Sequence, residues 1–229
     1  MKKIIRLTAV AVLAAAWTVH AVSYTWSPTS GTLFQETANW SPSTGVPGEA
    51  DTAVFSGANT YAVTFNDSVT NASVTIGSSS PGTDVTFGLN GWFWKLTGTL
   101  GFVTAGTATF VGGSLEVSNT VTVNANQKLV LNGNTSVFNK MVATSGGTVQ
   151  VGGGTHVLGR LSTSDASTGM TLGVPPSGGT SLRLTNGTVG VQGQVYGSAG
   201  AKVSLEGGMF LTTNGAYGIV LEGPATVNV

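Results

Sequence analysis

The chain has 229 residues and no cysteine, and only 8% of its side chains are charged, nine Lys and Arg against nine Asp and Glu. The absence of thiols excludes disulfide staples, thiol catalysis and thiolate metal sites, so the core and the backbone hydrogen bonds must hold the fold. Charge this sparse, where an ordinary soluble domain carries about 25%, comes with 34 glycines and abundant Thr, Val, Ser and Asn, a palette of short strands and tight turns.

Residues 1–21 read as a secretory signal peptide. Lys2, Lys3 and Arg6 form its basic end, Leu7 to Trp17 its apolar stretch, and Val19-His20-Ala21 a small-x-small cleavage site. That apolar stretch is shorter than the roughly 20 residues that span a bilayer as a helix, and no later run reaches that length. The mature chain is therefore expected to be secreted or held at the cell surface, without spanning a membrane. Cleavage would leave six cations against nine acids, a net charge of −3, which argues against nucleic acid as a partner.

Residues 22–50 are turn-rich, with Pro28, Gly31, Pro42, Gly45, Pro47 and Gly48, and hold Trp26 and Trp40. This segment reads as an N-terminal cap over an exposed strand edge. From Asp51 the texture changes to short alternating strands such as Ala53-Val54-Phe55, Ser73-Val74-Thr75-Ile76, Lys128-Leu129-Val130-Leu131 and Lys202-Val203-Ser204-Leu205. Alternation points every second side chain at a core, and the outward ones are Thr, Ser, Gln, Lys and Glu.

A hydrophobic residue followed closely by glycine recurs about every 21 residues: Phe55/Gly57, Ile76/Gly77, Phe110/Gly112, Leu131/Gly133, Val151/Gly152, Leu172/Gly173, Leu205/Gly207 and Leu221/Gly223. A period near 20 predicts a stacked solenoid, and Asn90-Gly91, Asn132-Gly133, Asn186-Gly187, Asn214-Gly215 and several Gly-Gly pairs read as its corners. Taken singly, those turns would also suit an antiparallel β-sandwich, the alternative fold. The expected architecture is all-β, one β-solenoid domain over 51–229 behind the irregular cap. About eight rungs at roughly 4.8 Å each make a column near 40 Å long. Thr226-Val227-Asn228-Val229 reads as the middle of a strand, so the solenoid is expected to be incomplete at its C-terminal end. The recurrence falters between Phe87 and Phe110 and between Leu172 and Leu205, where a specific function would be expected to sit.

Trp26, Asn39-Trp40, Pro47-Gly48 and Asp51-Thr52-Ala53-Val54-Phe55, followed by Gly/Asn/Thr/Val rungs, resemble the start of secreted bacterial proteins with autotransporter-associated β-strand repeats. The resemblance runs over essentially the whole mature chain through loose, compositional motifs. It implies a right-handed parallel β-helix at the cell surface or beyond, with a structural or adhesive role. Neither a translocator barrel nor the C-terminal sorting tail common in such proteins is present in this sequence.

Chemistry is sparse. Catalytic carboxylates on neighbouring rungs should lie about 21 residues apart, whereas Asp67 and Asp84 are separated by 17 and Glu206 and Glu222 by 16. His156, Arg160 and Asp165 read as a polar loop with a surface salt bridge, and Gly152-Gly153-Gly154-Thr155 lacks the Asp of a calcium-binding repeat. No catalytic residue, metal site or cofactor is assigned. The one local feature is Trp92-Phe93-Trp94: on a strand, Trp92 and Trp94 share a face, where two indoles would stack on sugar rings if exposed or fill a core layer if buried. The favoured function is a non-enzymatic exported scaffold or adhesin with glycans or surface proteins as partners. The alternative is a carbohydrate-binding or polysaccharide-cleaving β-helix.

Overall fold

The computed structural model describes residues 20–27, 32–77, 82–143, 147–158, 170–172, 181–191, 195–197, 202–212, 219–221 and 226–228. Three parallel sheets wind these residues into a right-handed β-solenoid. The first stacks Ser23–Trp26, Thr52–Phe55, Ser73–Ile76, Leu100–Phe102, 121–123, 141–143, Met170–Leu172, Val195–Gly197 and Ile219–Leu221. The second stacks Thr60–Thr64, Thr83–Gly88, Gly106–Val111, 127–132, 148–151, Ser181–Leu184, Lys202–Leu205 and Thr226–Asn228. The third stacks Val69–Asn71, Phe93–Leu96, 114–117, 134–138, 154–158, Thr188–Val191 and Met209–Thr212. Among the described strands, only Ser23–Trp26 with Trp40–Ser41 pair antiparallel, so the sandwich alternative is not realised.

The rung length is less uniform than the recurrence implied. Phe110, Leu131 and Val151 are true partners on the second sheet, one rung apart at 21 and then 20 residues. The next partner of Val151 is Leu184, however, 33 residues on. Leu172, which kept the apparent beat, belongs to the first sheet, as do Phe55, Ile76 and Leu221. The 21-residue recurrence thus joined marks from two faces. The supposed break between Phe87 and Phe110 is likewise an ordinary rung, because those two rings are register partners stacked 4.9 Å apart.

Inward positions fill the core, and its content changes along the axis. At the N-terminal end it is aromatic: Trp26, Phe34, Trp40, Phe55, Phe65, Phe87, Trp94 and Phe110 are all buried. Trp40 packs edge-on against Trp26 at 5.0 Å and Phe34 at 4.9 Å, and its Nε1 donates to Phe34 O at 2.7 Å. Further along, aliphatic columns such as Leu129, Val149, Leu182 and Val203 take over. Each buried column keeps apolar surface from water on both of its rungs, which is why no rung is stable alone.

Candidate functional site

The two tryptophans singled out by sequence do not share a face. Phe93–Leu96 is the strand, with Phe93 and Lys95 outward and Trp94 and Leu96 buried. Trp92 precedes it, in the corner set by Asn90 and Gly91 at φ 53° and 86°, with its N–H donating to Leu89 O at 2.8 Å. Alternation begins only after that corner, so it does not carry Trp92 inward or outward with Trp94. Trp92 is 41% exposed and Phe93 37%, while Trp94 is fully buried, its Nε1 donating to Asn71 Oδ1 at 2.8 Å. The paired-indole platform is therefore replaced by a single exposed step of Trp92 and Phe93.

That step stands on the corner between the second and third sheets, which recurs on successive described rungs. Asn90-Gly91, Gly112-Gly113, Gly133, Gly154, Gly187 and Gly208 all have positive φ there. At some of these corners stacking also excludes a side chain: a Cβ on Gly187 would lie 2.5 Å from Gly154 O, whereas one on Gly133 would meet nothing within 4 Å. Backbone bonds tie the corner together, Ser114 N to Trp92 O at 2.9 Å, Thr135 N to Gly113 O at 3.0 Å and Met209 N to Gly187 O at 2.8 Å.

Outward side chains form columns. On the first sheet Thr52, Ser73, Thr99 and Thr120 follow one another rung by rung, and beside them run Thr25, Val54, Thr75, Gly101, Thr122 and Val142. Ser73 Oγ accepts from Thr99 N at 3.1 Å, so neighbouring members of the column are in contact. On the third sheet Ser114, Thr135, Thr155 and Thr188 make a similar column, with Val137 and Val157 alongside. Sequence alternation expected Thr and Ser at outward positions, but only the register shows that hydroxyls fall above hydroxyls.

The ionisable groups are scattered. Asp84 is flanked by Thr60 and Thr107, while Asp67 sits in a corner and accepts from Ser68 N at 2.7 Å, so they are not rung partners. Glu116 pairs with Lys95 at 3.4 Å and Glu206 with Arg183 at 2.6 Å. The Arg183–Glu206 bridge is bidentate, and it raises the guanidinium pKa while lowering that of the carboxyl. Glu222, Arg160 and Asp165 lie outside the described residues.

His156 departs from its reading as part of a polar surface loop, because it is buried on an inward position of the third sheet. Its register partner there is Ser136, and Asn134 lies two residues before Ser136 on the same strand, also buried. His156 Nε2 lies 2.7 Å from Gly153 O, and Asn134 Nδ2 donates to Ser136 Oγ at 2.7 Å. Among the described residues, Asn134 Oδ1 and His156 Nδ1 have no hydrogen-bond partner. Burial lowers the imidazole pKa, opposed by the Gly153 carbonyl, so the ring is neutral at pH 7. The available signal was polar residues at inward positions of the alternation, Asn134 and Ser136 just before Phe138, with His156 one rung on.

No protein-family model, curated protein or solved structure matches the chain.

Proposed function

We propose that this chain is an exported, non-enzymatic β-helical scaffold that adheres to glycans through repeated weak contacts. The observation that carries this is the hydroxyl column on the first sheet, where Thr52, Ser73, Thr99 and Thr120 follow one another, beside a second column in which Thr25, Thr75 and Thr122 alternate with Val54, Gly101 and Val142. Rungs are about 4.8 Å apart and the two columns about 6.6 Å apart, so the sheet presents a continuous row of groups that both donate and accept hydrogen bonds, with further hydroxyls on every second rung beside it. One such bond adds only about 0.5–1.5 kcal/mol, but a repeating polymer engages many at once. The signal-peptide pattern and the likeness to autotransporter-associated repeats support location at the cell surface or beyond.

Co-sedimentation with insoluble polysaccharides tests this reading. Retention of the wild-type protein and its loss in a Thr52→Lys/Thr75→Lys/Thr122→Lys variant that unfolds at the same denaturant concentration are expected. Retention indifferent to those three changes would overturn it. If Trp92→Ala alone abolished retention, the contact would lie at the exposed aromatic step instead. Release of reducing sugar would move the protein to the polysaccharide-cleaving alternative.

A further inference from the structure

The first strand begins at the bond where export would cut the chain. Ala21 is exposed, Val22 is half-buried, and Ser23–Trp26 then enters the first sheet beside Thr52–Phe55. Two hydrogen bonds seat Val22: its carbonyl accepts from Thr52 N at 2.9 Å, and its N–H donates to Asp51 Oδ1 at 2.8 Å. The other carboxylate oxygen, Oδ2, accepts from Gly48 N at 2.8 Å, and Asp51 N donates to Gly48 O at 3.0 Å. The cap loop therefore holds the carboxylate with one oxygen aimed at the Val22 nitrogen. Neither Lys95–Glu116 nor Arg183–Glu206 involves it.

We propose that the Ala21–Val22 peptide bond is a proteolytic processing site and that Asp51 is the built receptor for the α-ammonium group released there. This rests on the export reading above. Hydrolysis adds water across the bond: the C–N bond breaks, oxygen goes to the Ala21 carbonyl carbon as a carboxyl group, and the Val22 nitrogen leaves as an amine. At neutral pH that amine takes a further proton and becomes a cation. An amide N–H with a partial positive charge is replaced, in the same place, by a full charge facing a carboxylate, which makes the bond charge-assisted and shorter. Processing thus clamps the first strand onto the second at the end of the solenoid where the cap begins. A chain cut one residue earlier would carry its charge about 3.8 Å further along the backbone, away from Asp51.

The test uses full-length protein expressed in an exporting host, with the signal sequence altered in one version so that Ala21 is retained. Intact mass of the recovered wild-type protein should place the first residue at Val22. The chain starting at Val22 should melt about 2–4 °C above the chain starting at Ala21. Asp51→Asn should abolish that gap, because the amide keeps an oxygen for the bond but loses the charge. If Asp51→Asn does not fold, the wild-type gap should still shrink in roughly 1 M salt, where the screening length is about 3 Å. A gap that survives both changes, or no gap at all, overturns the role of Asp51. Recovery of exported protein with residues 1–21 intact overturns the export reading itself, and a clean start at another residue overturns the processing site alone.

Discussion

Trp94 and Trp92 are two residues apart and should respond to substitution in opposite ways. Trp94 has Phe65 and Phe87 rings at 4.9 and 5.0 Å, with Phe34 at 5.6 Å and Phe110 at 6.1 Å. Truncating a buried Trp to Ala costs about 3–5 kcal/mol. Here it also strips the buried Asn71 Oδ1 of its donor, and an orphaned buried acceptor costs about 1–3 kcal/mol more. Since whole domains are stable by only about 5–15 kcal/mol, Trp94→Ala should leave little folded protein. Trp94→Phe is the more informative change. It keeps most of the ring contacts but removes the indole N–H, so about 1–3 kcal/mol should be lost, chiefly at Asn71. Asn71 Nδ2 also holds Pro47 O at 2.7 Å, so the loss should extend into the loop at Pro47 and Gly48. Trp92→Ala, at an exposed corner, should shift stability by no more than about 0.5 kcal/mol. Urea unfolding followed by far-UV circular dichroism reads all three. If Trp94→Phe cost no more than Trp92→Ala, Trp94 would not be the hydrogen-bonded centre of the aromatic core.

Alanine at two corner glycines should separate backbone strain from crowding. Gly133 has φ 70°, and a Cβ there would meet no atom within 4 Å, so Gly133→Ala should cost only the left-handed penalty of about 1–2 kcal/mol. Gly187→Ala meets the same penalty and also the Gly154 carbonyl 2.5 Å away, so its unfolding midpoint should fall clearly further; equal losses would mean that the rungs do not approach so closely. The lowered pKa of His156 gives a pH dependence of definite sign. Between the folded and unfolded values the unfolded chain binds the extra proton, so stability is full above about 6.5, the unperturbed value, and falls as pH drops below it. His156→Gln should flatten that fall in thermal melts across the acid range, and an unchanged slope would refute the assignment to His156.

Much of the fold was legible in sequence because the solenoid obeys a local rule. Alternation fixed which residues of each strand point inward, and Asn-Gly and Gly-Gly marked corners, since only such residues accept positive φ cheaply. Rung length was harder to read, because two faces carry similar Val/Leu/Phe-Gly marks and nothing local says to which face a mark belongs. Leu172 kept the beat from the wrong sheet for that reason. Trp94 was misread with Trp92 because strand alternation was carried back across a corner. His156 was placed on the surface because it was grouped with Arg160 and Asp165, its ionisable neighbours in sequence, as a polar loop. Its environment is set by Asn134 and Ser136 one rung away, beyond any local window.

The sparse charge, which first suggested only a class of composition, has a cause in the stacking. Parallel in-register rungs put each outward side chain about 4.8 Å from its counterparts above and below, and two like charges at that distance repel by roughly 1 kcal/mol even in water. The described strand charges avoid this arrangement. Asp84 lies between Thr60 and Thr107, Lys128 between Thr107 and Thr148, and Arg183 between Gln150 and Ser204. Where charges are adjacent their signs alternate, as with Lys95 beside Glu116. A hydroxyl column has no such conflict, because each hydroxyl both donates and accepts, and Thr99 Oγ1 donates to Ser73 Oγ on the neighbouring rung at 3.5 Å. Thr and Ser are therefore the residues that an uninterrupted column tolerates at any length. The surface proposed for binding and the requirement for stacking select the same side chains.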